Sequence, residues 1–198
     1  MQETTKKRLR TPLQPIVSLL TSLKVAPNAV TVAGLLFAGI AGGLLSRGLF
    51  IGGGVALLIA GLADSVDGEL ARRSNRTHPM GAFLDSSFDR IAEFAVFFGL
   101  FWFYRSNPGM AALIFATLFA SVAVSYVRAR AEGVGARCNV GLFERPVRFL
   151  FTVLGIFIGH FYPIVLTICL WIILVGSTFT VVQRFVYVLR GAERKNGS

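Results

Sequence analysis

The sequence predicts an all-α, polytopic membrane protein: six transmembrane helices with an N-terminal amphipathic juxtamembrane helix ahead of them. Three observations carry that prediction. Of 198 residues, 54% are hydrophobic and only 15% charged, whereas soluble domains carry about 25% charged residues. The apolar residues fall in long continuous runs, and at about 20 residues per span the chain has room for about six. None of the runs shows the short alternating segments of a membrane β-barrel, and closed helices satisfy every backbone polar group in lipid. An ordinary soluble enzyme and an intrinsically disordered chain are both excluded by this composition.

The elements follow in order. Residues 1–27 form a basic N-terminus and an interfacial helix. Lys6, Lys7, Arg8 and Arg10 precede Leu13, Ile16, Val17, Leu20 and Leu23, which recur at helical spacing. Such a helix lies on the membrane with its cations toward anionic headgroups. Pro27 interrupts it. A transmembrane domain is predicted over residues 28–190, with spans at 29–46, 49–72, 80–104, 109–132, 145–161 and 164–188, and 191–198 form a cytoplasmic tail. Turn residues separate the spans, among them Asn107-Pro108-Gly109 and the stretch from Gly133 to Gly141. Of 20 Lys and Arg, only Arg47 and Arg105 fall on one side. The positive-inside rule therefore places both termini, and the side rich in cations, in the cytoplasm. Gly34/Ala38/Gly42, Gly39/Gly43 and Gly155/Gly159 form small-residue ladders that let helices approach closely. Cys138 and Cys169 make neither a disulfide framework nor a zinc pattern, and are expected to be reduced and structural.

Chemistry concentrates in one place. Six of the ten carboxylates lie between residues 64 and 93: Asp64, Asp67, Glu69, Asp85, Asp89 and Glu93. Asp64 and Asp67 are i, i+3 neighbours near the cytoplasmic end of the second span. Asp85, Asp89 and Glu93 stack on one face of the third. A short connection makes these spans antiparallel, so the aspartates can face one another just inside the membrane. Ionised groups there are costly and need a cationic partner. Ion pairs with Arg72, Arg73 or Arg90 are one solution. Four short aspartates converging on one place also suit a hard divalent cation such as Mg²⁺, Mn²⁺ or Ca²⁺. Gly68, Ala71 and Gly81 keep the helix faces open for a bulky ligand, and Arg72 suits a phosphate clamp. The set reads as a metal-held diphosphate in a slot between helices. A divalent-cation transporter uses intramembrane acids as readily, but both spans turn apolar beyond Asp64 and Glu93. A purely structural protein with Arg–Asp pairs leaves Gly68, Ala71 and Gly81 without a role.

The run Asp64-Ser-Val-Asp67-Gly68-Glu-Leu-Ala71-Arg72, followed by Gly81, Asp85 and Asp89, resembles the complete signature D-x2-D-G-x2-A-R-x8-G-x3-D-x3-D. That signature marks the CDP-alcohol phosphotransferases, membrane enzymes of phospholipid synthesis also called CDP-alcohol phosphatidyltransferases. The resemblance implies that Asp64, Asp67, Asp85 and Asp89 hold a divalent metal, Mg²⁺ or Mn²⁺, as two ions, and that Asp89 acts as the catalytic base. It places the CDP-linked lipid donor against Gly68, Ala71, Arg72 and Gly81, with Asn28 and Thr31 near the nucleotide, and it implies a homodimer. Ser125-Tyr126-Val127-Arg128-Ala129-Arg130, Glu144-Arg145-Pro146 and Val182-Gln183-Arg184 are similar to the phosphatidylinositol phosphate synthase branch. Arg128 stands where that branch usually has Lys. On this resemblance Ser125, Arg128, Arg148 and Arg184 bind a phosphorylated polyol. The implied reaction moves a phosphatidyl group from CDP-diacylglycerol, or a CDP-linked archaeol-type lipid, to inositol phosphate and releases CMP. Glycerol 3-phosphate, the acceptor of phosphatidylglycerophosphate synthases, is the alternative. The formal charge of +10 then serves the bilayer and an anionic substrate, with no nucleic-acid partner.

Overall fold

The structure, a computed structural model, describes residues 14–73, 79–136, 138 and 140–196; the basic run from Lys6 to Arg10 lies outside them. Among the described residues there are seven helices and no strand: α1 Gln14–Ser22, α2 Pro27–Ser46, α3 Phe50–Arg73, α4 Pro79–Phe103, α5 Pro108–Gly133, α6 Arg145–Gly159 and α7 Pro163–Asn196. Each predicted span appears as one helix. Proline opens α2, α4, α5 and α7 and stands second in α6. There its missing N–H leaves no bond unmade and its fixed φ favours the helix. The Asn107 side chain caps α5 by accepting from Met110 N at 3.1 Å.

The helices differ in how they could meet a membrane. α2, α3, α5 and residues Pro163–Arg190 of α7 are long and apolar enough to cross one. α4 has the length but carries Asp85, Asp89, Arg90 and Glu93 along it. α6 has 15 residues, about 22 Å at 1.5 Å per residue, short of a hydrocarbon core of about 30 Å. α7 continues as helix past residue 190 to Asn196.

α2 packs along both α3 and α4, α5 and α6 pack on α7, and smaller contacts join α4 to α5 and α3 to α6. Leu45, Phe97, Leu100, Ile114, Ile156 and Leu170 form the middle of the core. Two of the glycine ladders do their packing within the chain. A Cβ on Gly99 of α4 would collide with the carbonyl of Gly42 of α2, and a Cβ on Gly159 of α6 would lie 2.8 Å from Leu166 of α7. Gly39 and Gly43 meet nothing within 4 Å. Both cysteines are buried and free. In α1, Val17 is buried against Val66 and Leu70 of α3, while Ile16 and Leu19 stay exposed. Arg73 bonds the Gln14 side chain across the same contact.

The two ends of the bundle are chemically distinct. Phe50, Phe103, Tyr104 and His160 gather their rings at one end, where the turns carry Arg47 and Arg105. The Arg105 guanidinium lies over the Trp102 ring, 4.9 Å from its centroid. The aspartates and the remaining described arginines lie toward the other end.

Candidate active site

α3 and α4 share α2 as a common floor but scarcely touch each other, so a slot opens between the two helices that carry the aspartates. Carboxylate oxygens of Asp64, Asp67 and Asp85 all lie within 4.8 Å of one another. This is the convergence that the spacing on two antiparallel helices predicts. Asp67 is 4% exposed, and its Oδ2 is buried with no hydrogen-bond partner. Thr31, one turn into α2, reaches the Pro27 carbonyl at 3.1 Å and the Asp67 carboxylate. Asn28 stands exposed in the first turn of the same helix.

Asp89 is not one of that trio but lies within hydrogen-bond reach of the Asp64 carboxylate. Arg145, the first residue of α6, donates from Nη1 to Asp64 Oδ2 at 2.8 Å and places Nη2 2.5 Å from Asp89 Oδ1. One guanidinium therefore joins the first and last aspartates of the motif. The sequence gives no spacing signal for this contact, because it spans 81 residues and depends on α6 packing on α3. Arg145 was legible only as a cation opening the fifth span, within the Glu-Arg-Pro triplet.

The small residues behave as their size requires. A Cβ on Gly68 would lie 3.7 Å from Arg72 Nη1, and Gly81 faces open space. The Arg72 guanidinium thus lies over Gly68, held by Glu69 Oε2 at 2.9 Å. Ala71 is half-buried on the same helix.

Beyond Asp89 lies a second cavity, of about 580 Å³, lined among others by Asp89, Ser125, Arg128, Arg145, Arg148 and Arg184. All four residues expected to meet the acceptor phosphate border it. Their environments differ. Arg128 is half exposed and pairs with Glu132 at 3.0 Å. Arg148 and Arg184 are each 2% exposed. Arg148 donates to the Phe143 carbonyl at 2.8 Å. Arg184 donates to the carbonyls of Val140 at 2.8 Å and Val124 at 2.6 Å. Ser125 accepts from Arg90. Asp89 and Arg145 belong to the lining of both the slot and this cavity.

The family model for CDP-alcohol phosphatidyltransferase matches residues 24–186. A phosphatidylinositol phosphate synthase of Corynebacterium glutamicum is 34% identical over 187 residues, covering 91% of this chain and 85% of the relative. The crystal structure of Mycobacterium tuberculosis phosphatidylinositol phosphate synthase with CDP-DAG bound is similar, with a TM-score of 0.81 and 31% identity over 88% of this chain and 92% of that one. The structure of the same enzyme in complex with manganese and citrate has a TM-score of 0.83 at 31% identity, over 88% of each chain.

Proposed function

The chain belongs to the CDP-alcohol phosphatidyltransferase family, whose members are enzymes, and on that premise we propose that it transfers a phosphatidyl group from CDP-diacylglycerol to inositol phosphate and releases CMP. One observation carries the reading: Asp89 borders both the aspartate slot and the arginine cavity, so one carboxylate faces a donor and an acceptor at once.

The aspartate set suits a hard divalent cation. Its donors are oxygen only, three of them converge within 4.8 Å, and Asp67 Oδ2 is buried and unpartnered. Bound to Asp64, Asp67 and Asp85, with Asp89 beside them, Mg²⁺ or Mn²⁺ (two ions in this reading) would neutralise charge on the donor diphosphate and the leaving phosphate. Thr31 orients Asp67. Arg72, lying over Gly68, clamps the diphosphate, while Gly68, Ala71 and Gly81 leave width for the nucleotide and Asn28 flanks it at the start of α2. Ser125, Arg128, Arg148 and Arg184 hold the acceptor phosphate; arginine forks suit that group. Asp89 takes the proton from the acceptor hydroxyl. The hydroxyl oxygen then attacks the β-phosphorus, an O–P bond forms, and the bond from that phosphorus to the CMP oxygen breaks.

Topology follows the same reading. α2 to α7 form six spans, α4 crossing because its charges line the slot instead of facing lipid, and α6 crossing a bilayer thinned around it. The positive-inside count puts both termini and the site at the cytoplasmic face of the cytoplasmic membrane, with residues 28–190 as the transferase domain and a homodimer as the assembly. The names of the relatives and the CDP-DAG bound by the M. tuberculosis enzyme support this assignment. The test is CMP release by purified protein given CDP-diacylglycerol and Mg²⁺ with each acceptor in turn. Release with inositol phosphate is expected. Release only with glycerol 3-phosphate would make the protein a phosphatidylglycerophosphate synthase. A divalent-cation transporter finds no support in the family.

A further inference from the structure

Glu93 is the acid of the cluster that the reaction leaves unused. It lies on α4 one turn beyond Asp89, on the same face, with its side chain 15% exposed. Its Oε1 accepts a hydrogen bond from Ser121 of α5, and Oε1 also stands 3.7 Å from Arg148 Nε of α6. Oε2 stands 3.6 Å from Arg90 Nε. The carboxylate therefore ties α4 to α5 and α6 where the slot and the arginine cavity meet, since it lines the slot and Arg148 lines the cavity.

Arg148 needs such a partner. Arg90, Arg145 and Arg184 crowd it with like charge, and the Glu93 carboxylate offsets them. Its Nε and Nη2 are buried without hydrogen bonds, and its Nη1 is committed to the Phe143 carbonyl. A buried guanidinium among three others is expelled or turned aside unless a counter-charge holds it. We propose that Glu93 is a positioning residue for anion recognition: its charge, fixed by Ser121, keeps Arg148 and Arg90 assembled at the cavity so that they can receive the acceptor phosphate. The inference rests on the acceptor reading of that cavity.

Two effects of Glu93→Gln have opposite signs, which makes the test decisive. Removing a negative charge near an anion site would by itself tighten anion binding. Losing the anchor of Arg148 loosens it. Gln keeps nearly the same shape and a carbonyl oxygen for Ser121, so the charge alone is removed. The experiment measures binding of inorganic phosphate to detergent-solubilised full-length protein by calorimetry, independent of turnover, and acceptor KM separately. Expected is at least a fivefold loss of phosphate affinity in Glu93→Gln, with donor KM unchanged and kcat at saturating acceptor within threefold of wild type. Glu93→Asp, which keeps the charge, restores most of the affinity. Ser121→Ala, which keeps the charge but frees the carboxylate, gives a smaller loss in the same direction and covers the case of an unstable Gln variant. Unchanged or tighter phosphate binding in Glu93→Gln, or an Asp variant as weak as Gln, overturns the proposal. So does a wild type that binds no phosphate. A wild type that binds phosphate, and loses it in Glu93→Gln, but releases no CMP with either inositol phosphate or glycerol 3-phosphate sinks the transferase reading and leaves Glu93 as the anchor of an anion site.

Discussion

At the proposed metal site, Arg145 would compete with a divalent cation for the oxygen atoms of Asp64 and Asp89. The perturbation that exposes this is Arg145→Gln. In the structure the guanidinium is 2.8 Å from Asp64 and 2.5 Å from Asp89, with the arginine side chain 37% exposed and the two aspartates 31% and 14% exposed. Solvent-exposed pairs contribute about 0.2–1 kcal/mol each, and charge-assisted hydrogen bonds about 1.5–3 kcal/mol when water is excluded. At about 0.75 kcal/mol each, in the upper part of the exposed range, the two partly exposed contacts contribute about 1.5 kcal/mol together, which is roughly tenfold in a binding constant. Mn²⁺ affinity of the purified, substrate-free variant is therefore expected to rise roughly tenfold, read from the free-Mn²⁺ paramagnetic resonance signal during titration. A field effect alone would also raise it, so Arg145→Lys is the control. Lys keeps the charge but has no planar fork to span two carboxylates, and its affinity is expected to approach that of the Gln variant. If Arg145→Lys titrates like wild type, the competition is only a field effect, and if Arg145→Gln binds Mn²⁺ no more tightly, the reasoning fails altogether.

Asp89→Asn is expected to lower CMP release by about 10²–10⁴-fold, the usual range for a lost general base, while Mn²⁺ binding persists through Asp64, Asp67 and Asp85; retained turnover removes Asp89 from the proton transfer. Chelation with EDTA stops CMP release and added Mg²⁺ or Mn²⁺ restores it, whereas activity that survives chelation contradicts the carboxylate-held metal. Arg148→Lys is expected to raise acceptor KM at least tenfold and Arg128→Lys by less than threefold. The buried fork of Arg148 serves a carbonyl and Glu93 together, while Arg128 is half exposed and paired with Glu132; equal effects in acceptor titrations would deny that difference. Gly99→Ala drives a Cβ into the backbone carbonyl of Gly42 and is expected to destabilise the detergent-solubilised protein by about 1–3 kcal/mol, seen as a lower thermal midpoint.

The helices were legible because hydrophobic runs and their proline starts are local. Pro27, Pro79, Pro108 and Pro163 each stand at the first residue of a helix, and the same residues punctuate the sequence. The trio Asp64, Asp67 and Asp85 was legible because helical periodicity and one short connection suffice to bring them together. What escaped were contacts that depend on non-neighbouring helices. Arg145 meets Asp64 across 81 residues, and Ser121 meets Glu93 across 28; no local pattern announces either. The reach of α7 to Asn196 escaped for a different reason. Polar residues after 190 end the hydrophobic signal without ending the backbone hydrogen-bond ladder, and helix and span are different lengths there.

The meaning of the cationic excess also changes once burial is known. A positive-inside bias works through side chains that meet headgroups or water, yet Arg148 and Arg184 are 2% exposed, so their charge must act within the protein. Arg184 spends two donors on the carbonyls of Val140 and Val124. It therefore ties the segment before α6 to α5 and α7. Thr180, one turn before Arg184 on α7, accepts from Phe143 N at 3.1 Å and fastens the same segment, from which α6 begins with Arg145. The arginine at the far end of the chain thus fixes where α6 starts, and that start sets the fork of Arg145 against Asp64 and Asp89. Loss of Arg184 should disturb the aspartate end of the site as well as the arginine cavity, because its hydrogen bonds go to the scaffold of α6.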